Sequence, residues 1–151
     1  MKPKYLTLLT VIIFLLFNFG CNSAKEKKSD TIMMGIPWKL TDYLILPNAR
    51  WNKSDANKLL FKEAFINKNS ISFNGKTCKG INFKRSSVSL NQYLSTKYHI
   101  SAEALNLTEQ QASMISTNCN LSGFNNYLRL NDRRVLIFIN GVAFFFVAAV
   151  V

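Results

Sequence analysis

Cysteine is the residue type most able to do covalent chemistry in this chain of 151 residues, and it occurs three times. An odd number is awkward in an oxidising compartment, because one thiol is left over when the others pair. If Cys21 has a separate role, Cys78 and Cys119 remain as a pair, and we expect a disulfide between them. This bond would close a loop of about 40 residues and add about 4 kcal/mol of stability in the chain-entropy description. The alternatives are two buried thiols, which are less typical of exported chains, and a zinc site, which two distant cysteines and one histidine do not favour.

The sequence offers no evident catalytic set of side chains. His99 is the only histidine, and no serine or cysteine motif points to it. The acidic residues beyond position 31 have no spacing that would place two of them together on one element, as paired-carboxylate catalysis requires; they are Asp42, Asp55, Glu63, Glu103, Glu109 and Asp132. Neither a phosphate-binding glycine loop nor a nucleophile elbow is present. We therefore expect a non-catalytic protein without metal or cofactor, and a hydrolase only if His99 lies beside an acid in a cleft.

Positive charge is the second chemical feature, with a formal net charge of +11. Such a charge attracts anionic lipids, acidic polymers or an acidic protein. Two groups of basic side chains could bind phosphates or carboxylates. They are Lys76, Lys79, Lys84 and Arg85 in the first group, and Arg129, Arg133 and Arg134 in the second. The alternative for both groups is a solvated surface, and no aromatic-basic motif indicates nucleic acid as a partner.

The N-terminal segment MKPKYLTLLTVIIFLLFNFGCNS predicts export. Lys2 and Lys4 precede an apolar run from Leu6 to Phe19, which is too short to span a membrane comfortably and suits a signal peptide. The small residue directly before Cys21 and the polar residues after it resemble the lipobox of bacterial lipoproteins. That resemblance implies that Cys21 is lipidated with palmitate, becomes the first residue of the mature chain and anchors it to a bilayer. The location implied is the cell envelope, on the outer membrane facing the periplasm. The alternative is an ordinary signal peptide cleaved nearby.

We therefore divide the chain into a signal peptide (1–20), a lipidated cysteine with a flexible tether (21–31) and a single antiparallel β domain (32–151). WKLTDYLIL predicts a first strand that ends at Pro47-Asn48. Ser54-Asp55 predicts the start of a short helix, followed by a strand near Ala64. A turn at 67–69 and a second turn at Asn74-Gly75 enclose the strand SISF.

Residues 86–112 predict one or two short helices, because Ser89, Ser101 and Thr108 are good helix starts. Thr108 forms a capping-box pattern with Gln111. SMISTNC then predicts a strand that ends at Cys119.

The C-terminal tail RVLIFINGVAFFFVAAVV is apolar enough to raise the alternative of a membrane anchor. Asn140-Gly141 interrupts it where a spanning helix would tolerate a break least, whereas the same pair suits the two-residue turn of a hairpin. A hairpin pairs Ile139 with Val142, and a second two-residue turn at Asn131-Asp132 would place Leu128 and Leu130 on the same face. We expect a three-stranded meander. Its other face would carry Phe138 and Phe145, which would bind a partner if the fold leaves them uncovered.

The fold class predicted is mainly β (α+β), an antiparallel sheet or a partly closed small barrel with one to three short helices and the C-terminal meander. The short strands, the Asn-Gly turns, the cysteine pair and the aromatic hairpin resemble small periplasmic lipoprotein domains of lipocalin-like type. Gly35-Ile36-Pro37-Trp38 is a loose counterpart of the early Gly-x-Trp of lipocalins. This resemblance implies a non-catalytic, lipid-anchored module that binds an envelope component or a protein partner. The alternative function is a periplasmic inhibitor or immunity protein that blocks a hydrolase by inserting a basic loop into an acidic cleft.

Overall fold

The computed structural model of the chain describes residues 35–130 and 133–149. The expected signal peptide, the lipidation site Cys21 and the tether lie outside these residues, as do Asn131 and Asp132. In the described part of the chain, no helix is both long and apolar enough to cross a membrane.

The described residues form one antiparallel sheet with two short α-helices and one turn of 3-10 helix, so the prediction of a mainly β fold is confirmed. The strands are β1 (Pro37–Ile45), β2 (Glu63–Ile66), β3 (Ser70–Phe73), β4 (Lys76–Lys79), β5 (Phe83–Ser89), β6 (Gln111–Thr117), β7 (Asn126–Arg129), β8 (Arg134–Ile139) and β9 (Val142–Ala148). The helices are α1 (Lys53–Asn57), α2 (Leu90–Tyr98) and the 3-10 turn Glu103–Leu105. The strand order across the sheet is β4-β3-β2-β1-β9-β8-β7-β6-β5.

Local sequence signals account for several element ends. Helix α1 starts slightly earlier than predicted, because Asn52 and Asp55 form a reciprocal capping box. The hydrogen bonds to Lys58 and to the Asn52 backbone hold the pKa of the Asp55 carboxyl below its usual range. The β3–β4 hairpin turns at Asn74 and Gly75, whose φ angles of +49° and +74° are those of a type I′ turn.

The segment between β5 and β6 only partly follows the prediction. Helix α2 does begin after Ser89, and the Ser101 hydroxyl accepts a hydrogen bond from the Ala104 N–H (3.2 Å) at the 3-10 turn. The capping box predicted at Thr108 and Gln111 is wrong, since Gln111 begins strand β6 and pairs with Ser89. A local helix-start pattern was overridden there by cross-strand pairing.

The C-terminal meander is confirmed, with one correction to its register. Strands β8 and β9 pair as predicted, with Ile139 opposite Val142. Leu128, however, pairs with Leu136 rather than Val135. The Leu130 N–H donates to the Arg134 carbonyl (2.8 Å), so three residues, and not two, lie between these two paired residues. A shift of one residue turns every side chain to the other face of the sheet, and Leu128 and Leu130 therefore lie on the face opposite to the one predicted.

The sheet closes only partly, for a topological reason. Nine strands that each run antiparallel to their neighbours leave the two outer strands, β4 and β5, running in the same direction. Parallel strands that lie side by side need a crossover of about a dozen residues, whereas only Gly80, Ile81 and Asn82 connect these two. Strand β5 therefore starts where β4 ends, and the curled sheet forms a half-barrel with a step at this point, which we call the seam.

Two clusters of apolar side chains hold the sheet, one on each face. The inner cluster includes Cys78 of β4 and the fully buried Phe124, Phe144 and Phe146, and the partly buried Phe83 of β5 packs against it. These side chains fill the interior of the half-barrel. The outer cluster lies between the sheet and α2, whose Leu90 and Leu94 are fully buried.

The outer cluster also covers the two aromatic residues that were expected to bind a partner if exposed. Phe145 is only 8% exposed. The Phe138 ring stacks on that of Tyr98, with 3.7 Å between centroids and 16° between planes. The fold therefore covers both rings.

A disulfide between Cys78 of β4 and Cys119, just after β6, crosses the seam, as the sequence predicted (Cα–Cα 5.7 Å). Asn118 adds two hydrogen bonds, from its Nδ2 to the Gly80 carbonyl (3.1 Å) and from the Asn82 N–H to its Oδ1 (2.8 Å). The short connection between β4 and β5 is thus fixed on both sides to the end of β6.

Replacing both cysteines by alanine is expected to lower the free energy of unfolding by about 4 kcal/mol. The reason is that the disulfide joins positions 41 residues apart and so lowers the conformational entropy of the unfolded chain. Denaturant unfolding monitored by circular dichroism measures the loss. Reductant should destabilise the native chain similarly and leave the double variant unchanged. Equal stability of the oxidised native chain and the double variant would contradict this role.

Candidate functional site

A cleft of about 470 Å³ opens at the end of the half-barrel where the β3–β4 turn, the β8–β9 turn and the loop 118–124 meet. We call it the end cleft. Its apolar lining residues are Trp51, Leu59, Phe73, Leu121 and Ile139. Its polar lining residues are Asn74, Lys76, Asn120, Ser122 and Asn140.

The apolar floor of the end cleft is continuous with the inner cluster. Phe73 packs against Phe124 and Phe146, with ring centroids 5.6 and 5.4 Å apart. Trp51 meets Phe144 edge-on at 6.3 Å, with 78° between the planes. Contacts of this edge-to-face type fix ring orientation in addition to burying area. The floor is therefore held by packed aromatic rings.

Trp51 is positioned by the β8–β9 turn. The Asn140 carbonyl accepts hydrogen bonds from the N–H groups of Arg50 (2.8 Å) and Trp51 (3.3 Å). Gly141 lets the two segments approach, because a Cβ at this position would lie 2.4 Å from the Cα of Ala49. Gly141 also has φ +82°, a conformation in which glycine carries no steric cost. The tail of the chain thus determines where Trp51 lies.

The loop that carries Asn120, Leu121 and Ser122 is fixed by its own ends. Cys119 is held by the disulfide, and the Phe124 N–H donates to the Leu121 carbonyl (3.0 Å). Gly123, with φ +83°, packs so tightly that a Cβ there would lie 3.1 Å from Ile137 and Ile139 side-chain atoms. The loop therefore presents its side chains from a rigid base.

The polar rim of the end cleft provides both hydrogen-bond donors and hydrogen-bond acceptors. Each of its three asparagine amides can donate and accept, and Ser122 adds a hydroxyl. Asn74 Oδ1 accepts a hydrogen bond from Lys62 Nζ, which leaves the Asn74 amide nitrogen oriented as a donor. Lys76 supplies a cation, and the ten lining residues include no acid, histidine or cysteine. These groups can bind a ligand through hydrogen bonds and one positive charge.

The structure brings the first predicted basic group to the seam. Lys76 and Lys79 flank Cys78 on β4, and Lys84 and Arg85 lie at the start of β5. All four side chains are exposed. Arg85 extends over the sheet, and its Nε and Nη2 donate to Ser113 Oγ at 2.9 and 2.7 Å.

The structure divides the second predicted basic group. Arg129 pairs with Ser113 and so shares a face with Arg85. Burial raises the pKa of Tyr127, and the charge of Arg129 acts in the opposite direction. Arg134 lies on the opposite face, with Nη2 3.2 Å from Oε1 of Glu109. Since the Glu109 side chain is only 12% exposed, this is a largely buried ion pair and Arg134 has a structural role. Arg133 is exposed in the β7–β8 connection, with φ +68°.

Sequence reasoning missed the end cleft, because its lining residues come from five separate segments. The local signals are Trp51, just before the N-cap of α1, and the Asn-Gly turns, and neither pattern by itself indicates a cleft. His99 is exposed at the C-terminal end of α2 and is not among the residues that line the end cleft. Compared with protein-family models, curated proteins and solved structures, the chain has no match.

Gly141→Ala is expected to destabilise the protein more than Gly75→Ala, although both glycines follow an asparagine in a hairpin turn. Each substitution places a Cβ on a left-handed residue, at a cost of about 1–2 kcal/mol. Only Gly141→Ala also forces a contact with Ala49, which adds roughly 1–3 kcal/mol. Denaturant unfolding of both variants measures the difference, and equal losses would show that the contact with Ala49 relaxes without cost.

Proposed function

We propose that this chain is an exported, lipid-anchored and non-catalytic binding protein, whose end cleft binds a short glycan of the cell envelope. The observation that carries the proposal is the combination of a rigid aromatic floor with an amide-rich rim in one cleft. Pockets of about 300–1,000 Å³ with an apolar lining and a few convergent polar groups are typical of small-molecule sites.

A sugar ring matches this lining in its chemistry. Its C–H face is apolar and can pack on Trp51 and Phe73, while its hydroxyl groups both donate and accept hydrogen bonds, as the asparagine amides do. Lys76 would favour a ligand that also carries a carboxylate. A glycan with acetamido groups and a carboxylate, as in peptidoglycan strands, has all three features.

Two observations support export and anchoring. The N-terminal residues resemble a lipoprotein signal peptide that ends at Cys21, and the Cys78–Cys119 disulfide is of the kind that persists in oxidising compartments. A bilayer anchor would hold the end cleft within reach of envelope polymers.

A second candidate, the periplasmic inhibitor, is favoured by the four exposed basic side chains at the seam. The β3–β4 hairpin with Lys76 would be the inserting element in that case. The two functions separate in a pull-down from envelope extract: a stoichiometric hydrolase that loses activity when bound would favour the inhibitor.

Asn120→Ala is expected to weaken binding of the purified domain to soluble peptidoglycan fragments about tenfold, and Trp51→Ala by at least as much. Isothermal titration calorimetry measures binding for the native domain and for both variants, because Trp51→Ala removes the tryptophan that lines the end cleft and would leave a fluorescence measurement without its reporter. Asn69→Ala is the matched control, because Asn69 is exposed at the opposite end of β3. Absence of binding by the native domain, or an equal loss in the control, would rule out the end cleft as a glycan site.

Cys21→Ser is expected to abolish incorporation of labelled palmitate and to move the protein from the membrane fraction to the soluble fraction. Metabolic labelling followed by membrane fractionation tests this. Labelling that survives the substitution would remove the lipoprotein assignment and leave the binding proposal standing on the end cleft alone.

A further inference from the structure

Three exposed apolar side chains lie close together on a part of the outer face that neither apolar cluster includes. They are Phe61 (63% exposed), Phe65 (41%) and Val147 (37%). Phe65 of β2 and Val147 of β9 lie on either side of β1, where they pair with Pro37 and Lys39. The Lys39 Nζ lies 5.7 Å from the centre of the Phe61 ring. We call Lys39 and these three apolar residues the Phe61 patch.

Phe61 is held in an unfavourable conformation. It lies between α1 and β2, and its φ of +66° is in the left-handed region, which bulky side chains rarely adopt. Its N–H donates to the Leu40 carbonyl (3.0 Å), and this bond fixes the residue beside β1. An aromatic ring that is both strained at its backbone and exposed to water contributes little to the fold. Strained residues of this kind cluster at functional sites.

Phe65 and Val147 lie at the end of the sheet where the N-terminal segment joins the described residues. The Gly35 N–H donates to the carbonyl of Ile66, the residue after Phe65 (3.2 Å). Gly35 follows Cys21 by 14 residues, and a chain of this length spans at most about 50 Å. A lipid on Cys21 would therefore keep this end of the sheet near a bilayer. The end cleft opens at the β3–β4 turn, which is the opposite end of the sheet.

Lysine side chains surround the apolar part of the patch. Lys39 lies within it, Lys68 is exposed between β2 and β3, and Lys79 is exposed on the same face of β4. Two exposed acids, Glu63 opposite Lys39 and Asp42 further along β1, offset part of this charge. The chain as a whole nevertheless carries a formal net charge of +11, which attracts anionic surfaces.

We propose that the Phe61 patch binds the domain to the surface of a bilayer that contains anionic lipids. The rings of Phe61 and Phe65 enter the headgroup region, as apolar side chains of interfacial segments do. The stem of Lys39 lies along the rings while its ammonium group meets lipid phosphates. In this orientation the end cleft faces away from the bilayer, toward envelope polymers. The argument from chain length rests on the proposed lipidation of Cys21, whereas the patch itself needs no anchor to bind lipid.

The size of the patch argues for a lipid surface, rather than a second protein, as the occupant. Its three apolar side chains together expose roughly 300 Å² at most, whereas each partner in a stable protein complex contributes about 800 Å². Two copies of this chain would also bring together two formal net charges of +11. A bilayer needs no such area, because the anchor already holds the domain beside it.

Vesicle binding by residues 33–151 tests the proposal without the anchor. This part of the chain is a compact unit that contains both apolar clusters and the disulfide. The vesicles contain phosphatidylethanolamine and phosphatidylglycerol at about three to one, and cosedimentation measures the partition coefficient. Phe61→Asn should weaken binding about tenfold, because the ring no longer leaves water. The same variant should keep or raise the thermal unfolding midpoint, because asparagine suits a left-handed backbone.

A second variant on a regular strand avoids any effect of the Phe61 backbone. Phe65→Thr keeps a residue type that favours strands and should also weaken vesicle binding about tenfold. Ile45→Thr is the matched control, because Ile45 is 38% exposed at the other end of β1, about 20 Å from Lys39. This control should bind the vesicles as the native domain does.

The charge requirement has its own pair of variants. Lys39→Gln should weaken binding about fivefold at low salt. Lys53→Gln removes an equal charge from α1, two residues after Trp51 of the end cleft, and should leave binding nearly unchanged.

Four outcomes would each overturn the proposal: no binding of these vesicles by the native domain, equal binding by Phe61→Asn, an equal loss in Ile45→Thr, or a native dimer that Phe61→Asn dissociates. Palmitate labelling of Cys21 is measured separately, so failure of the patch and failure of the lipid anchor are distinguishable.

Discussion

The three-residue connection between β4 and β5 is the constraint on which the rest of the structure depends. It is too short for the crossover that would let β5 pair in parallel with β4. Strand β5 therefore continues from the end of β4, and the sheet closes with a step. The disulfide and Asn118 then fix this step to the end of β6. The end cleft lies beside this fixed step, because the loop that carries Asn120, Leu121 and Ser122 begins at Cys119.

Burial on both faces explains the unusual composition of the C-terminal hairpin. A sheet with one solvated face alternates apolar and polar residues, whereas β9 lies at the centre of this sheet with the inner cluster on one side and the outer cluster on the other. Phe144 and Phe146 fill the half-barrel, and Ala143 and Phe145 pack toward α2. A continuous apolar run in a short chain can therefore indicate a strand covered on both faces as well as a membrane segment.

The sequence predicts those elements of the fold that depend on residues close to each other in the chain. The Asn140-Gly141 turn and the start of α2 were predicted from a few neighbouring residues and are confirmed. The cysteine pair was predicted from the number of cysteines in the chain, and it is also confirmed. The errors occurred where distant pairing decides: Thr108 resembles a helix cap but precedes a strand, and the β7–β8 connection is one residue longer than its Asn-Asp pair suggested. The end cleft could not be predicted, because no local pattern specifies which loops meet at the end of a sheet that curls.

The close approach of Gly141 to Ala49 couples the residues that the β8–β9 turn and the segment before Trp51 can accept during evolution. A side chain at the turn is tolerated only if the chain near Ala49 moves, and that movement would displace the backbone that carries Trp51. Among diverging descendants of this sequence, positions 49 and 141 are therefore expected to change together or not at all. A small residue at the first and glycine at the second would form a sequence signature that identifies relatives which retain the end cleft, even where little else can be aligned.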